Sequence, residues 1–223
     1  MENKSKSRAA SGAENIKIEK LKDSKTEYDK SIKVILLGDS NVGKSSIIDR
    51  LKSNTFKASP STTITLEHHN LIIKINSFIL RMQIWDTAGQ EKFDAIASTY
   101  YKSTDVVLFV YSIDSMNSFE SLKYWYENVK EKLEGDKYII AIVGNKSDLI
   151  ENEVVSEDEA RNFASERNAI FATISCKQTP EGIDCLFNNL LDELIKKNYF
   201  QPSKSYVLDN KKKHNIEKKK QNC

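Results

Sequence analysis

Residues 38–45 of this 223-residue chain read GDSNVGKS, a Gly-x4-Gly-Lys-Ser pattern that is suited to holding phosphate groups. The pattern follows an apolar run, IKVILL, and precedes a segment with helical spacing, SSIIDRLK. Glycines let backbone N–H groups turn inward, and the start of a helix adds positive potential for phosphate oxygens. In this arrangement Lys44 would reach the β and γ phosphates of a nucleotide, and Ser45 would bind Mg²⁺. A glycine-rich turn with an exposed lysine is the alternative, and the strand-loop-helix context argues against it.

A second polar segment, GNKSD at residues 144–148, follows another apolar run and could recognise a base. Guanine presents adjacent N1–H and amino donors that one carboxylate accepts together, which is a role for Asp148. Adenine has no such pair and would leave that aspartate unpaired. Asn145 would brace the loop, and the stem of Lys146 would cover the base face. Alone, this segment would be a surface turn; together with the phosphate loop it predicts a guanine nucleotide.

A third segment, WDTAGQEKF at residues 85–93, ends a strand-like run with an acidic residue and a glycine. Asp86 lies where a second-sphere partner of Mg²⁺ belongs, and the N–H of Gly89 could touch a γ phosphate. The order GDSNVGKS, DTAGQ, NKSD and SCK, the last at residues 175–177, resembles the Ras superfamily of small GTPases. The resemblance covers residues 31–195.

Within that superfamily the chain is similar to the Rab family, as RMQIWDTAGQEKF, YYKST and FVYSID indicate. Counting 23 positions back from Asp86 places Thr63 at the Rab switch threonine, and Phe56 falls at the aromatic residue that flanks guanine. Residues 64–68, ITLEH, depart from the Rab pattern Ile-Gly-Val-Asp/Glu-Phe. The resemblance therefore leaves the choice of effector open.

The resemblance implies a full set of site residues. Gln90 would orient the attacking water, and Lys44 and Thr63 would complete the catalytic group. Ser45 and Thr63 would bind the metal directly. Asp86 would contact the metal through a water molecule. The implied nucleotide contacts are Asp39, Ser40, Asn41, Val42, Gly43, Lys44, Ser45, Ser46, Phe56, Thr63, Asp86, Gly89, Asn145, Lys146, Asp148, Ser175, Cys176 and Lys177. Residues 53–80 contain no arginine, so hydrolysis should be slow until an activating protein supplies the missing charge.

Short apolar runs alternate with amphipathic segments from residue 31 onward, which predicts an α/β layered fold. The runs NLIIKI and ILRMQIWD are joined only by Asn76 and Ser77, which predicts a tight antiparallel hairpin. With the resemblance, we expect a Ras-like P-loop NTPase fold: a mostly parallel six-stranded sheet, one antiparallel edge strand and about five flanking helices. Trp125 is expected in the core or at a partner surface, and Arg50 in solvent.

Charge divides the chain into three parts. Residues 1–30 sum to +2, residues 31–195 to −7 and residues 196–223 to +7. We predict a disordered extension at residues 1–30, a GTPase domain at 31–195 and a basic, flexible tail at 196–223. An acidic body argues against nucleic-acid binding. Three scattered cysteines and the lack of a membrane-spanning apolar stretch favour a cytoplasmic protein.

The tail ends in Cys223, which the Rab resemblance marks as a prenylation site. One lipid with neighbouring lysines could hold the protein on the cytosolic face of an anionic endomembrane, whereas an unmodified, solubilising tail is the alternative. The implied partners are guanine nucleotide, an activating protein, an exchange factor, effectors and a prenyl-tail carrier, with the protein itself a monomer. A GTP-binding scaffold with little turnover and a Ras-superfamily switch outside the Rab family remain as alternative functions.

Overall fold

The structure is a computed structural model, and it describes residues 19–21, 27–58, 67–75, 78–86, 100–133, 138–178 and 180–200. Seven strands are present in this part of the chain: β1 Glu19–Leu21, β2 Lys30–Leu37, β3 Glu67–Ile75, β4 Phe78–Asp86, β5 Val106–Ser112, β6 Ile139–Asn145 and β7 Ile170–Thr173. Four α-helices accompany them: α1 Lys44–Ser53, α2 Met116–Lys132, α3 Glu157–Ser165 and α4 Glu181–Lys196. A 3-10 helix, Ser147–Asn152, follows β6.

The strands form one sheet in the order β1-β3-β4-β2-β5-β6-β7. Strands β4, β2, β5, β6 and β7 are parallel, whereas β3 runs antiparallel to β4. Ile75 pairs with Phe78, so the antiparallel hairpin predicted around residues 76–77 is confirmed. The six predicted strands are all present, and the predicted α/β fold is confirmed.

The side chains of each central strand divide between two cores, one on each face of the sheet. In β2, Val34 and Leu36 face the core formed with α1 and α4, whereas Ile35 and Leu37 face the core formed with α2 and α3. Alternate residues of a strand point to opposite faces, so a strand covered on both sides must be apolar throughout. This requirement explains the uninterrupted apolar runs and produces three layers.

Serine caps begin the two helices on the second face. Ser115 accepts a hydrogen bond from the N–H of Ser118 at the start of α2, and Ser156 accepts one from the N–H of Glu159 at the start of α3. Such caps satisfy N–H groups that have no partner inside the helix. Three acidic residues in the first turn of α3 add favourable charge there.

The packed region extends past both predicted limits of the GTPase domain. β1 lies inside the segment predicted to be disordered, and it pairs antiparallel with Ile72–Lys74 of β3. The prediction of disorder was therefore wrong for residues 19–21. β1, and not β3, is the edge strand of the sheet. Asp29 also exchanges hydrogen bonds with Ile79. At the other end, Phe200 is 5% exposed and stacks on Phe78, with ring centroids 5.0 Å apart. The boundary predicted at residue 195 was therefore too early, because residues 196–200 are part of the fold.

Candidate nucleotide-binding site

The phosphate loop, residues 38–45, connects β2 to α1 and has a backbone that only glycine fits at two positions. Gly38 has φ +141° and Gly43 has φ +97°. A Cβ on Gly38 would lie 2.1 Å from the carbonyl oxygen of Val110, and one on Gly43 would lie 2.1 Å from Asn145 Nδ2. These approaches leave no room for a side chain, so the two glycines allow the loop to pack directly against β5 and β6.

Lys44 is the first residue of α1, and it is buried with a relative exposure of 5%. Its Nζ donates to the carbonyl oxygens of Gly38 and Asp39 at 2.8 and 2.7 Å, so the ammonium lies across the mouth of the loop. Burial lowers the pKa of Lys44 to about 8, and the carboxylates of Asp86 and Asp39 partly oppose that change. A desolvated cation at a helix N-terminus is stabilised by an incoming phosphate group.

Ser45 and Asp86 meet beside Lys44. Ser45 Oγ donates to Asp86 Oδ2 at 2.5 Å, which links the start of α1 to the end of β4. Asp86 is 1% exposed, and among the described residues its Oδ1 has no hydrogen-bond partner. Burial raises the pKa of Asp86, against the opposing effects of Ser45 and Lys44. A hydroxyl beside a buried carboxylate with a spare oxygen fits a hydrated Mg²⁺ ion.

Asn145, at the end of β6, holds two loops together. Its Nδ2 donates to the carbonyl of Val42 at 2.8 Å, and its Oδ1 accepts from the N–H of Cys176 at 3.4 Å. The side chain is therefore satisfied although only 2% of the residue is exposed. The bracing role predicted for Asn145 thus has a direct geometric basis: one amide joins the phosphate loop to residues 175–177.

Asp148 lies in the 3-10 helix that follows β6, and residues 175–177 surround it. Ser175 Oγ donates to Asp148 Oδ1 at 2.5 Å, and Lys177 Nζ lies 3.7 Å from Asp148 Oδ2. The side chain of Asp148 is 9% exposed. The carboxylate is thus held in one orientation, with little contact with water, as recognition of two adjacent donors requires.

The other predicted contacts that the structure describes lie in the loops and helix ends next to these residues. Asp39, Ser40, Asn41, Val42 and Ser46 belong to the phosphate loop or the first turn of α1, with Asn41 at φ +63°. Lys146, at φ +64°, has its Nζ 4.0 Å from Asp114 Oδ1. Phe56 is half-buried beyond the end of α1. Burial raises the pKa of the Cys176 thiol to about 12, so the thiol stays protonated at neutral pH, and the N–H of Cys176 donates to Asn145 Oδ1.

Four predicted functional residues lie outside the described residues. Thr63, Gly89 and Gln90 fall within residues 59–66 and 87–99, and Cys223 falls within residues 201–223. Their predicted roles in metal binding, phosphate contact, hydrolysis and lipid attachment stay predictions.

Two contacts to the site were not anticipated from the sequence. Trp125 of α2 donates its indole N–H to Asp39 Oδ1 at 3.1 Å, so a residue expected in the core also supports the phosphate loop. Arg50 of α1, expected in solvent, donates from Nε to the carbonyl of Cys176 at 2.5 Å. Arg50 is half-buried rather than fully in solvent, because the helix packs beside residues 175–177.

Comparison with known proteins agrees with this geometry. The Ras family is the family whose sequence profile matches the chain, over residues 33–196. The chain is 39% identical over 166 residues to the Ras-related protein Rab-11B of Dictyostelium discoideum, covering 74% of each chain. The chain belongs to the Rab family of small GTPases. It is also 36% identical over 170 residues to the GTP-binding protein ypt3 of Schizosaccharomyces pombe, covering 76% of this chain and 78% of ypt3.

This Rab is therefore a GTPase: it binds GTP and GDP and hydrolyses GTP to GDP and phosphate. It is a guanine-nucleotide switch of the kind that works in vesicle traffic. The predicted family and activity are confirmed.

Proposed function

We propose that this Rab binds the nucleotide in the pocket bounded by the phosphate loop, Asp148 and residues 175–177. The nucleotide bound there, GTP or GDP, would decide whether the protein is in its active or inactive state. The observation that carries the proposal is the pair of hydrogen bonds of Asn145, to Val42 and from Cys176. Because one buried amide joins the loop suited to phosphates to the segment that orients Asp148, both ends of a nucleotide would be held by one rigid unit.

Magnesium fits the phosphate end of this pocket. Ser45 and Thr63 would bind the ion directly, and Asp86 would accept a hydrogen bond from a metal-bound water with its unpartnered Oδ1. The ion would neutralise charge that develops on the phosphate oxygens. Lys44 and the N–H of Gly89 would hold the γ phosphate, and Gln90 would orient the attacking water.

Hydrolysis would be slow in the isolated protein. No arginine lies in residues 53–80, so that segment offers no guanidinium group to offset the charge on the transferring phosphoryl group. An arginine supplied by an activating protein contributes about 10³ to 10⁵ in rate in systems of this type. The proposed cycle therefore needs an activating protein to end the GTP state and an exchange factor to release GDP, and effectors would bind the GTP form.

The base end of the pocket provides a direct test. Asp148→Asn should exchange a carboxylate acceptor for an amide, whose N–H₂ group can donate to the O2 of xanthine. Competition between labelled GDP and unlabelled GDP or xanthosine diphosphate, with Mg²⁺ present, should show the wild type preferring GDP and the variant preferring the xanthine nucleotide. An Asp148→Asn protein with unchanged preference would remove Asp148 from base recognition.

Membrane attachment is proposed through the tail. Among the described helices, none has both the length and the apolar composition needed to cross a bilayer. A prenyl group on Cys223 and the lysines of residues 196–223 would place the protein peripherally on the cytosolic face of an endomembrane, with a prenyl-tail carrier in the cytoplasm. No nucleic acid is needed for this function, and we propose that the protein acts as a monomer.

Substitution of Cys223 tests whether a lipid attached to this residue anchors the protein to membranes. Cys223→Ser should move most of the protein from the membrane pellet to the supernatant in cell fractionation, because the attraction of the lysines to an anionic surface is screened by salt and no lipid chain remains to insert. Cys185→Ser, which removes an exposed cysteine outside the tail, serves as the control. Equal partitioning of Cys223→Ser and wild type would contradict lipid attachment.

A further inference from the structure

Arg50 lies in the last turn of α1 and joins three parts of the chain. Its Nε donates to the carbonyl of Cys176 at 2.5 Å, and its Nη2 donates to the carbonyl of Lys177 at 3.0 Å. Its Nη1 donates to the main-chain and side-chain oxygens of Asn54 at 3.0 and 3.2 Å. Every nitrogen of the guanidinium is thus used, and these acceptors are neutral oxygens rather than carboxylates.

The two carbonyls that Arg50 holds belong to the segment that orients Asp148. Ser175, on one side of Cys176, hydrogen bonds Asp148 Oδ1, and Lys177, on the other side, lies beside Asp148 Oδ2. Asn145 fixes the N–H of Cys176, whereas Arg50 fixes its carbonyl. Residues 175–177 are therefore held from both directions, and Arg50 is the described residue that ties their carbonyls to α1.

The same guanidinium also lies over the ring of Phe56, with its central carbon 5.8 Å from the ring centroid. Phe56 is the aromatic residue proposed to flank guanine. Arg50 therefore contacts, with one rigid planar group, both the ring of Phe56 and the carbonyls of Cys176 and Lys177. A lysine could not reproduce this, because an ammonium lacks the planar fork that engages two adjacent carbonyls.

We propose that Arg50 is a positioning residue for guanine recognition: it holds residues 175–177 so that Asp148 faces both guanine donors at once. This inference rests on the proposed function, since it assigns Arg50 a task in the same pocket. Arg50 would touch no part of the nucleotide. Its effect should therefore fall on discrimination between bases more than on phosphate binding.

Inosine diphosphate separates these effects, because it lacks the amino group of guanine but keeps the phosphates and N1–H. The experiment measures affinities and release rates of GDP and inosine diphosphate, with Mg²⁺, for full-length wild type, Arg50→Gln and Arg50→Lys. Arg161→Gln is the matched control. Arg161 also pairs with a neighbour on its own helix and lies over an aromatic ring, Phe171, but its helix, α3, packs on the face of the sheet opposite to α1.

We expect Arg50→Gln to release GDP about tenfold faster and to lose most of the preference for GDP over inosine diphosphate, as the loss of hydrogen bonds made by a charged group implies. Arg50→Lys should have a GDP release rate and a GDP preference between those of the wild type and Arg50→Gln. If Arg50→Gln does not fold, Arg50→Lys is the variant that tests the inference. Arg161→Gln should match the wild type. Thermal unfolding of each variant reports any general loss of stability.

An Arg50→Gln protein whose preference for GDP over inosine diphosphate equals that of the wild type would overturn the inference. If both nucleotides are then weakened equally, the role of Arg50 is in fold stability alone. A wild type that prefers GDP while both Arg50 variants keep that preference defeats only this inference. The proposed pocket itself would be contradicted by two results together: the wild type does not distinguish GDP from inosine diphosphate, and Asp148→Asn does not change the base preference.

Discussion

At the scale of single residues, the site depends on polar groups that are buried and paired. Asn145, Ser175 and Lys44 are all nearly inaccessible to water, yet each has hydrogen-bond partners in the loops around it. A buried polar group without a partner costs about 1 to 3 kcal/mol. Paired groups therefore hold the loops in one arrangement before any nucleotide arrives, whereas Asp86 Oδ1, which has no partner among the described residues, is an atom that a hydrated cation would satisfy.

The thiols provide a test of burial at this scale. Because burial raises the pKa of Cys176 to about 12, only roughly one thiol in ten thousand is ionised at pH 8, whereas Cys185 is exposed. N-ethylmaleimide at pH 8 should therefore label Cys185 in the native protein and Cys176 only after unfolding in urea, as peptide mass spectrometry would show. Equal labelling rates for the two in the native protein would contradict this burial.

The raised pKa of Cys176 also makes the stability of the fold depend on pH. The pKa of Cys176 is higher in the folded protein than the ordinary value of 9.0, so the folded state binds the proton more tightly. The contribution of this thiol to the free energy of unfolding is therefore complete below pH 9 and is lost as the pH rises toward 12.

At the scale of elements, β1 covers part of an edge of the sheet that would otherwise be exposed to other chains. This strand is three residues long and pairs with Ile72–Lys74, so it covers the outer edge of β3 where that strand carries the buried residues Ile72 and Ile73. An uncovered edge strand offers a row of unpaired N–H and C=O groups to other chains. We infer that residues 19–21 protect this edge.

Two truncations test that protection. A chain that begins at residue 22 should associate at high concentration, because the edge of β3 becomes free, and should lose about 1 kcal/mol of stability for each ladder hydrogen bond that is removed. A chain that begins at residue 19 keeps the strand and should behave like the full-length protein. Size-exclusion chromatography with light scattering, over a range of concentrations, measures the difference. Identical molar masses for the two truncations would show that β1 has no such role.

At the scale of the whole molecule, the two ends of the fold lie away from the nucleotide site. Phe200 stacks on Phe78, at the opposite end of β4 from Asp86, and β1 covers the neighbouring part of β3. The chain therefore enters and leaves the domain near the hairpin of β3 and β4. A tail that begins here would leave the nucleotide site free to face away from a membrane.

The end of the fold can be located by stability. Truncation after residue 196 should lower the free energy of unfolding by about 3 kcal/mol, because it removes the buried ring of Phe200 and the half-buried Tyr199 from the core. Truncation after residue 200 should leave stability unchanged. Urea denaturation of both proteins with GDP bound measures this. If the two curves coincide, residues 197–200 do not belong to the cooperative unit.

The sequence by itself determined the features that depend on neighbouring residues. Contiguous motifs marked the phosphate loop and Asp148, and apolar runs marked the six main strands, because a strand buried on both faces must be apolar at every position. The charge division of the chain was likewise visible from residue counts. The family and its activity followed from these motifs.

Only the tertiary structure decided the contacts between distant segments. Arg50 and Cys176 are 126 positions apart, and Asp39 and Trp125 are 86 apart. An arginine on a helix surface has the same local pattern whether it faces water or a pair of backbone carbonyls, since a carbonyl acceptor carries no side-chain signature. The three-residue strand β1 was hidden for a related reason: its pairing depends on the open edge of β3 and not on its own composition.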